Sequence, residues 1–318
     1  MLRSPQRNIA IAAILLASCC APARSLAQGI SHSAASPHRA AKPGSTAPPA
    51  HAANPSAPMP NAAALKQRVL DNLKMMQAEQ ERYLCRMTLV DEETDKHGNV
   101  KKGETKTYDM FFVNGIEIDE LTAKNGKPLD AGHQKKESAR VQKEILRDSD
   151  QKQVAKEQDE NEKQLDILLR ALRYTNGHRQ KIDGRSTLCY ALSGDPSFHP
   201  KNAQETFLHN MTGTIQVDEA TGQLVDLNAR LDHDVKIGGG LVANIHKGFW
   251  LHVHQARQPD GVWINDLVEG KGDARAVLFL HPYFQFQQTI RDCRLTSVST
   301  QTTGGIIVNP GNNNGQIP

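Results

Sequence analysis

Along 225–237 apolar and polar residues alternate without a break. Val225, Leu227, Ala229, Leu231, His233, Val235 and Ile237 fall on one side, and Asp226, Asn228, Arg230, Asp232, Asp234 and Lys236 on the other. A period of two marks a strand with one buried and one wet face. At the usual rise per residue the run predicts a strand of about 40 Å, about twice the common length. Gly238, Gly239 and Gly240 then permit a tight reversal. In the return strand Leu241, Ala243, Ile245, Phe249, Leu251 and Val253 face one way, and Asn244, His246, His252 and His254 the other. Two adjacent one-sided strands joined by a short turn form a meander, so the sheet they begin is antiparallel.

Further strands are predicted around Tyr83, Cys85, Met87 and Leu89, and over 108–113, 116–123, 187–192, 214–218, 262–268, 275–286 and 289–298. Turn signals separate them: His97-Gly98-Asn99, Asn125-Gly126-Lys127-Pro128, Asp183-Gly184, Thr221-Gly222 and Asp260-Gly261. Roughly ten strands on a meander path predict a mainly β (α+β) fold, a large curved antiparallel sheet forming a barrel or half-barrel. Two stretches change period. The segment 65–82 carries Leu65, Val69, Leu73 and Met76 on one helical stripe. The segment 134–173 is longer and strongly charged, and Leu165, Leu168, Leu169 and Leu172 restore an apolar helical face at its end. That face suits a lid over the mouth of the sheet; the charged part suits a solvated connector.

The chain ends differ in kind. Arg3 and Arg7 precede an apolar run over 9–17 that is too short to span a bilayer, the layout of a secretory signal peptide. Cleavage after Ala27 gives a leader of 1–27. Leu16-Ala17-Ser18-Cys19 resembles a lipobox, which would end the leader at 18 and leave Cys19 lipidated. Residues 28–62 are rich in Ala, Pro and Ser, and no Asp or Glu occurs before Asp71, so this segment reads as a disordered tether. The stretch 301–318 is Gly- and Asn-rich and reads as a flexible tail. One half-barrel domain is expected between them, over 63–300, with a charged helical insertion at 131–173. Lys plus Arg number 38 and Asp plus Glu 35, and no basic stripe with interleaved aromatics stands out, which argues against nucleic acid. Cys85, Cys189 and Cys293 lie about a hundred residues apart and form no CxxC pair. In an oxidising compartment two of the three would pair; the spacing does not say which.

The order of pieces resembles the bacterial outer-membrane lipoprotein-sorting group, whose members share the LolA-type unclosed β-barrel. The resemblance runs over about 65–298. It rests on an amphipathic helix, the Tyr83-x-Cys85 strand, Phe112-Val113-Asn114-Gly115, Asn125-Gly126-Lys127-Pro128-Leu129, the charged helix, Asp183-Gly184-Arg185, and Gly213-x-Ile215-x-Val217-Asp218 ahead of the long strand. It implies an incomplete barrel of about eleven strands, with helices on its concave side and an apolar cavity for lipid acyl chains or acylated lipoproteins. The charged insertion and the lipobox both depart from a compact soluble carrier. The cavity-lining candidates are Met87, Leu227, Leu231, Ile245, Phe249, Leu251 and Phe279. The physical reason is that a long one-sided sheet exposes more apolar surface than two helices cover, leaving a ligand or more chain to complete it.

Enzyme signatures are missing. The chain has no G-x-S-x-G, H-E-x-x-H or P-loop, and Gly270-Lys271-Gly272 lacks the third glycine of a dinucleotide fingerprint. Asp218 and Glu219 read as a hairpin turn, and Trp250 and Trp263 as packed or rim aromatics. His246, His252 and His254, with Asp232 and Asp234 across the hairpin, have the spacing a metal would need, but strand histidines on a wet face are ordinarily only solvated. His233 reads as an inward core histidine. The expectation is a monomeric, exported envelope protein without catalytic residues or cofactor, touching membrane through a lipid anchor if Cys19 is modified. The rival reading is a periplasmic interaction or sensor module with a filled core.

Overall fold

The computed structural model describes residues 58–80, 82–113, 116–147, 152, 163, 166–237, 243–276 and 283–295. Cys19, both leader boundaries, the tether up to 57, the tail, Leu165 and Phe279 lie outside the described residues, as do the side chains of Leu73 and Met76.

Helix α1 (Ala62–Gln80) leads into β1 (Tyr83–Thr94), β2 (Val100–Val113), β3 (Ile116–Lys124) and the short β4 (Lys127–Pro128). Helix α2 (Ala131–Arg147) follows, and a helical turn at 166–171 opens into β5 (Leu172–Ile182) and β6 (Arg185–Gly194). Helix α3 (Ala203–His209) precedes β7 (Met211–Asp218), β8 (Leu224–Leu231), β9 (Val235–Ile237), β10 (Ala243–Ile245), β11 (Trp250–Arg257), β12 (Trp263–Ala276) and β13 (Tyr283–Leu295). The strands form one antiparallel sheet ordered β4-β3-β2-β1-β13-β12-β11-β8-β7-β6-β5, with the small β9–β10 hairpin branching from β12. Its two ends do not pair with each other, so this is an unclosed, barrel-like sheet of thirteen strands. The first and last strands meet in its middle, where β1 pairs with β13.

Turn chemistry sets the register. Asn125-Gly126 has φ of 49° and 73°, and Asp183-Gly184 has 48° and 76°. Two successive positive φ values make the primed two-residue turn that matches strand twist, and Lys124↔Lys127 and Ile182↔Arg185 close around them. The disulfide joins Cys85 of β1 to Cys293 of β13 with Cα atoms 4.1 Å apart, at a register shift beside Leu84. Cys189 is a buried free thiol.

Several expectations are corrected. The long strand over 225–237 is broken at 232–234, and its partner is broken at 246–249, so both bend at one corner. There the Asp234 Oδ1 accepts from Lys247 N (2.8 Å), Gly248 N donates to Leu231 O (2.9 Å), and Gly248 sits at φ 90°. Local side-chain bonding thus replaces the ladder. Because the corner turns the chain, His233 is exposed, not inward. The segment 134–173 is not helical to its end: α2 is described over Ala131–Arg147 and residues 166–171 are helical, but from Leu172 the chain is edge strand β5, which no period-two pattern announces. Strand β13 also runs unbroken through Gln287 and Gln288, where the sequence suggests a gap.

Two apolar clusters lie on the sheet. The larger joins Leu188, Tyr190, Leu192, Ile215, Val217, Leu227, Leu231, Leu251 and Val253 to Leu65 of α1, Ala171 and α3's Phe207 and Leu208. The smaller gathers Tyr83, Cys85, Met87, Met110, Val262, Ile264 and Ile290 around the disulfide.

Candidate functional site

Residues paired across an antiparallel ladder share a face. One continuous rung on the inner face therefore reads Glu104, Asp91, Phe286, Gly270, Leu251, Ala229, Gly213, Leu192 and Tyr174 across nine strands. It grades from two carboxylates through a half-buried phenylalanine to a leucine with 0% exposure. The rung beside it carries Glu93, Phe284 and Gly272.

Glycine at 270 and 272 is what lets the aromatic rings lie on β12. A Cβ at 270 would stand 2.8 Å from Phe286 Cε1, and one at 272 would stand 2.8 Å from Phe249 Cδ2. Phe249 is buried between Phe207 (ring centroids 5.5 Å apart) and Phe284 (6.2 Å). These are the separations at which aromatic rings pack edge or tilted. Phe284 and Phe286 are only half-buried and pack against the larger cluster, so the aromatic row continues from the closed core as a partly accessible apolar strip, the trough. The residues that follow on the same face are charged. Lys106 Nζ lies 2.7 Å from Glu104 Oε2 and 3.9 Å from Asp91 Oδ2, and Lys124 is 3.5 Å from Glu104 Oε1. Burial pushes the Asp91 carboxyl above its ordinary range, with Lys106 pulling against it and Glu104 adding to it. An apolar floor beside a charged wall suits an amphipathic ligand.

The cover over the closed end is fastened by polar contacts. Lys66 of α1 donates to Leu169 O and to Leu172 O (3.0 Å), and its Nζ stands 5.1 Å from the Tyr174 ring. Desolvation lowers the Lys66 pKa, with Asp195 opposing. Under the same helix a buried amide chain runs from Asn72 to Gln223 to Gln255, and Gln255 Nε2 donates to Asn265 Oδ1 at 2.6 Å. Gln80 Nε2 donates to Trp263 O at 2.6 Å. Asn72 Oδ1 and Trp263 Nε1 are buried without a hydrogen-bond partner. An open groove of about 540 Å³ beside α1 is lined by Ala64, Gln67, Arg68, Asp71, Asn72 and Thr221.

The sequence candidates distribute as follows. Leu227, Leu231, Ile245, Phe249 and Leu251 come together in the larger cluster, where Leu231 and Leu251, at 1% and 0% exposure, are covered by the chain itself. Met87 belongs to the smaller cluster. Leu168 and Leu169 sit on the helical turn against the core, whereas Leu172 is the first residue of β5 and not part of a lid. Phe207, Phe284 and Phe286 escaped the sequence reading. The alternation Tyr283-Phe284-Gln285-Phe286-Gln287 was the available signal, since it puts two phenylalanines on one face.

On the outer face the three histidines do not converge. His252 Nε2 meets Asp226 Oδ2 at 2.7 Å and its Nδ1 meets Glu269 Oε1 at 3.1 Å; His254 pairs with Asp266 (2.6 Å) and His246 with Asp234 (3.2 Å). Among the described residues no group of three His, Cys, Asp or Glu side chains is placed to hold a metal. Trp250 stacks on His252 with ring centroids 6.0 Å apart and donates to Asn228 Oδ1 at 2.9 Å.

No protein-family model matches the chain, and no curated protein matches it. Among solved structures it is similar to a DUF1329 family protein from Desulfovibrio piger ATCC 29098. The two are 9% identical, over 75% of this chain and 95% of that one, at a TM-score of 0.26, too low to carry fold or function across.

Proposed function

We propose that this protein binds acyl chains or acylated lipoproteins in the cell envelope, in the manner of the outer-membrane lipoprotein-sorting proteins with a LolA-type unclosed barrel. The observation that carries the reading is the inner-face rung that leads from buried Leu251 over Gly270 to half-buried Phe286 and on to Asp91 and Glu104. An acyl chain laid along Phe284 and Phe286 gains about 0.8 kcal/mol for each buried methylene. Its polar head meets Lys106 and the flanking carboxylates. No proton transfer or bond cleavage is required of any residue in this trough, so the chemistry is reversible binding.

The test is purification of the full chain from a periplasm without detergent, followed by mass spectrometry of extracted material and titration with a fluorescent fatty acid. Stoichiometric acyl ligand, lost in Phe284→Asp/Phe286→Asp, supports the reading; an empty protein that refuses the probe defeats it. The rival, a non-catalytic interaction or sensor module, draws on the near-zero exposure of Leu231, Leu251 and Val253 under the chain's own helices. It gains if the trough variants keep every partner the native chain retains.

A further inference from the structure

Helix α2 sorts its charges by side. Its carboxylates, Glu137 and Glu144, both face Arg140: Arg140 Nε donates to Glu137 Oε2 at 2.9 Å and Nη1 to Glu144 Oε2 at 2.6 Å. Glu137 Oε1 also accepts from Leu121 N of β3 at 2.9 Å, and Arg140 Nη2 donates to Asp119 O. These contacts satisfy backbone groups on the outer strand of the sheet and fix how the helix lies along it. Burial would raise the Glu137 pKa, but the bonds from Arg140 and Leu121 N outweigh it and hold the carboxyl ionised. Val141 is buried on the same side.

The opposite side is left with one sign of charge. Lys135, Lys136, Ala139, Gln142, Lys143 and Leu146 are all exposed, Leu146 at 74%. Spacings of three and four residues put Lys135, Ala139, Gln142 and Leu146 in one line, with Lys136 and Lys143 beside it. A helix that was merely solvated would carry both signs outward. This one spends its acids on the sheet edge and presents cations around an exposed leucine.

We propose that the outer face of α2 is a docking surface for an anionic phospholipid membrane. The lysine stems lie along the apolar boundary while their ammonium groups reach lipid phosphates, and Leu146 enters the headgroup layer. Because α2 is braced against β3, the backbone that carries the cations is already ordered before contact. The acyl trough and this face are separate sets of residues, so either can fail alone.

The full chain is sedimented with vesicles of phosphatidylcholine alone and of phosphatidylcholine mixed with phosphatidylglycerol, at low and high salt. The native chain pellets with the anionic vesicles and is released by salt. Lys135→Gln/Lys136→Gln/Lys143→Gln loses affinity about a hundredfold, from roughly fivefold per lysine. Leu146→Gln loses several-fold, and Lys181→Gln on β5 changes nothing. Thermal unfolding of the variants, with the Arg140 contacts intact, stays at the native midpoint. Equal binding to both vesicle types, undiminished binding by the triple variant, or retention by an acidic protein with no vesicle binding would each overturn the proposal. Phe284→Asp/Phe286→Asp keeps vesicle binding, which separates this outcome from the fate of the acyl reading.

Discussion

The two halves of the inner face are built on different principles. Under α1, α3 and the helical turn at 166–171, the sheet from β5 to β12 is closed by apolar side chains, with Leu188, Val217 and Leu251 at 0% exposure. Across β13, β1 and β2 the apolar cluster is smaller, is crosslinked by Cys85–Cys293, and borders the charged wall of Asp91, Glu104 and Lys106. One half is held by burial and by the polar contacts that fasten its cover; the other adds a covalent tie where burial is thinner. The boundary between them, at Phe284 and Phe286, is where apolar surface remains accessible. Accessible apolar surface remains where the fold does not need it for its own core.

The largest effect should come from cutting into the closed half. Phe249→Ala removes a ring held between Phe207 and Phe284, and should cost about 4 kcal/mol in chemical denaturation. Phe286→Ala, at the boundary, should cost about 1 kcal/mol while abolishing probe binding. Equal losses at the two positions would erase the distinction between core and trough. Next in size is the crosslink. Cys85→Ser/Cys293→Ser, or reduction of the native chain, should lower stability by about 3 kcal/mol. Cys189 contributes nothing to this, because burial raises its thiol pKa and leaves it inert as a nucleophile. A reductant-insensitive midpoint would mean that burial alone holds the second half.

Much of this contrast could be read in the chain, and what could not has identifiable causes. The alternation around Leu227 and Leu231, and the turns at Asn125-Gly126 and Asp183-Gly184, are local signals, and they placed the sheet and its register. Strand β5 was hidden because Arg173, Asn176, His178, Arg179 and Lys181 are edge residues with no buried alternate face to pattern. The corner at 232–234 was invisible since Leu231 and Val235 stay in phase across it, both buried, while Asp234 leaves the ladder for Lys247 N. The trough was missed for a different reason. Phe284 and Phe286 form the proposed site only because Gly270 and Gly272 pair with them from β12, a relation set by register between strands and not by either strand's own pattern.

Two titrating groups sharpen the comparison at the edge and on the outer face. Asp119, beneath α2, has a buried Oδ1 without a partner; burial pushes its carboxyl up to about 6, with Arg140 opposing and Glu144 and Glu137 adding to the rise. A raised folded pKa means that stability is full below the ordinary aspartate value and falls as the pH rises through about 6. Asp119→Asn should therefore be about 1–2 kcal/mol more stable than the native chain at pH 8 and equal to it at pH 4. A native-like pH profile in the variant would show that Asp119 is not the group responsible.

The smallest effect belongs to His252, which links β8, β11 and β12 through Asp226 and Glu269. Burial lowers its pKa, but the hydrogen bonds and charges of the two carboxylates more than offset this, and the net shift is upward. Stability from the protonated ring is then complete below the ordinary imidazole pKa of about 6.5 and is lost as the pH rises through the higher folded value. Glu269 sets the other limit. Hydrogen bonding from Gln287 is the chief cause of its lowered pKa, with burial opposing and His252 assisting, so its share is lost as the pH falls through the folded carboxyl value. The three-strand bridge thus operates in a window between the two groups. His252→Gln should lose about 0.5–1 kcal/mol inside that window and nothing at alkaline pH. Acyl-probe affinity should stay constant throughout, because the imidazole lies on the opposite face from Phe284 and Phe286. If probe binding follows the His252 titration instead, the outer face is coupled to the trough, and the separation between a structural exterior and a binding interior fails.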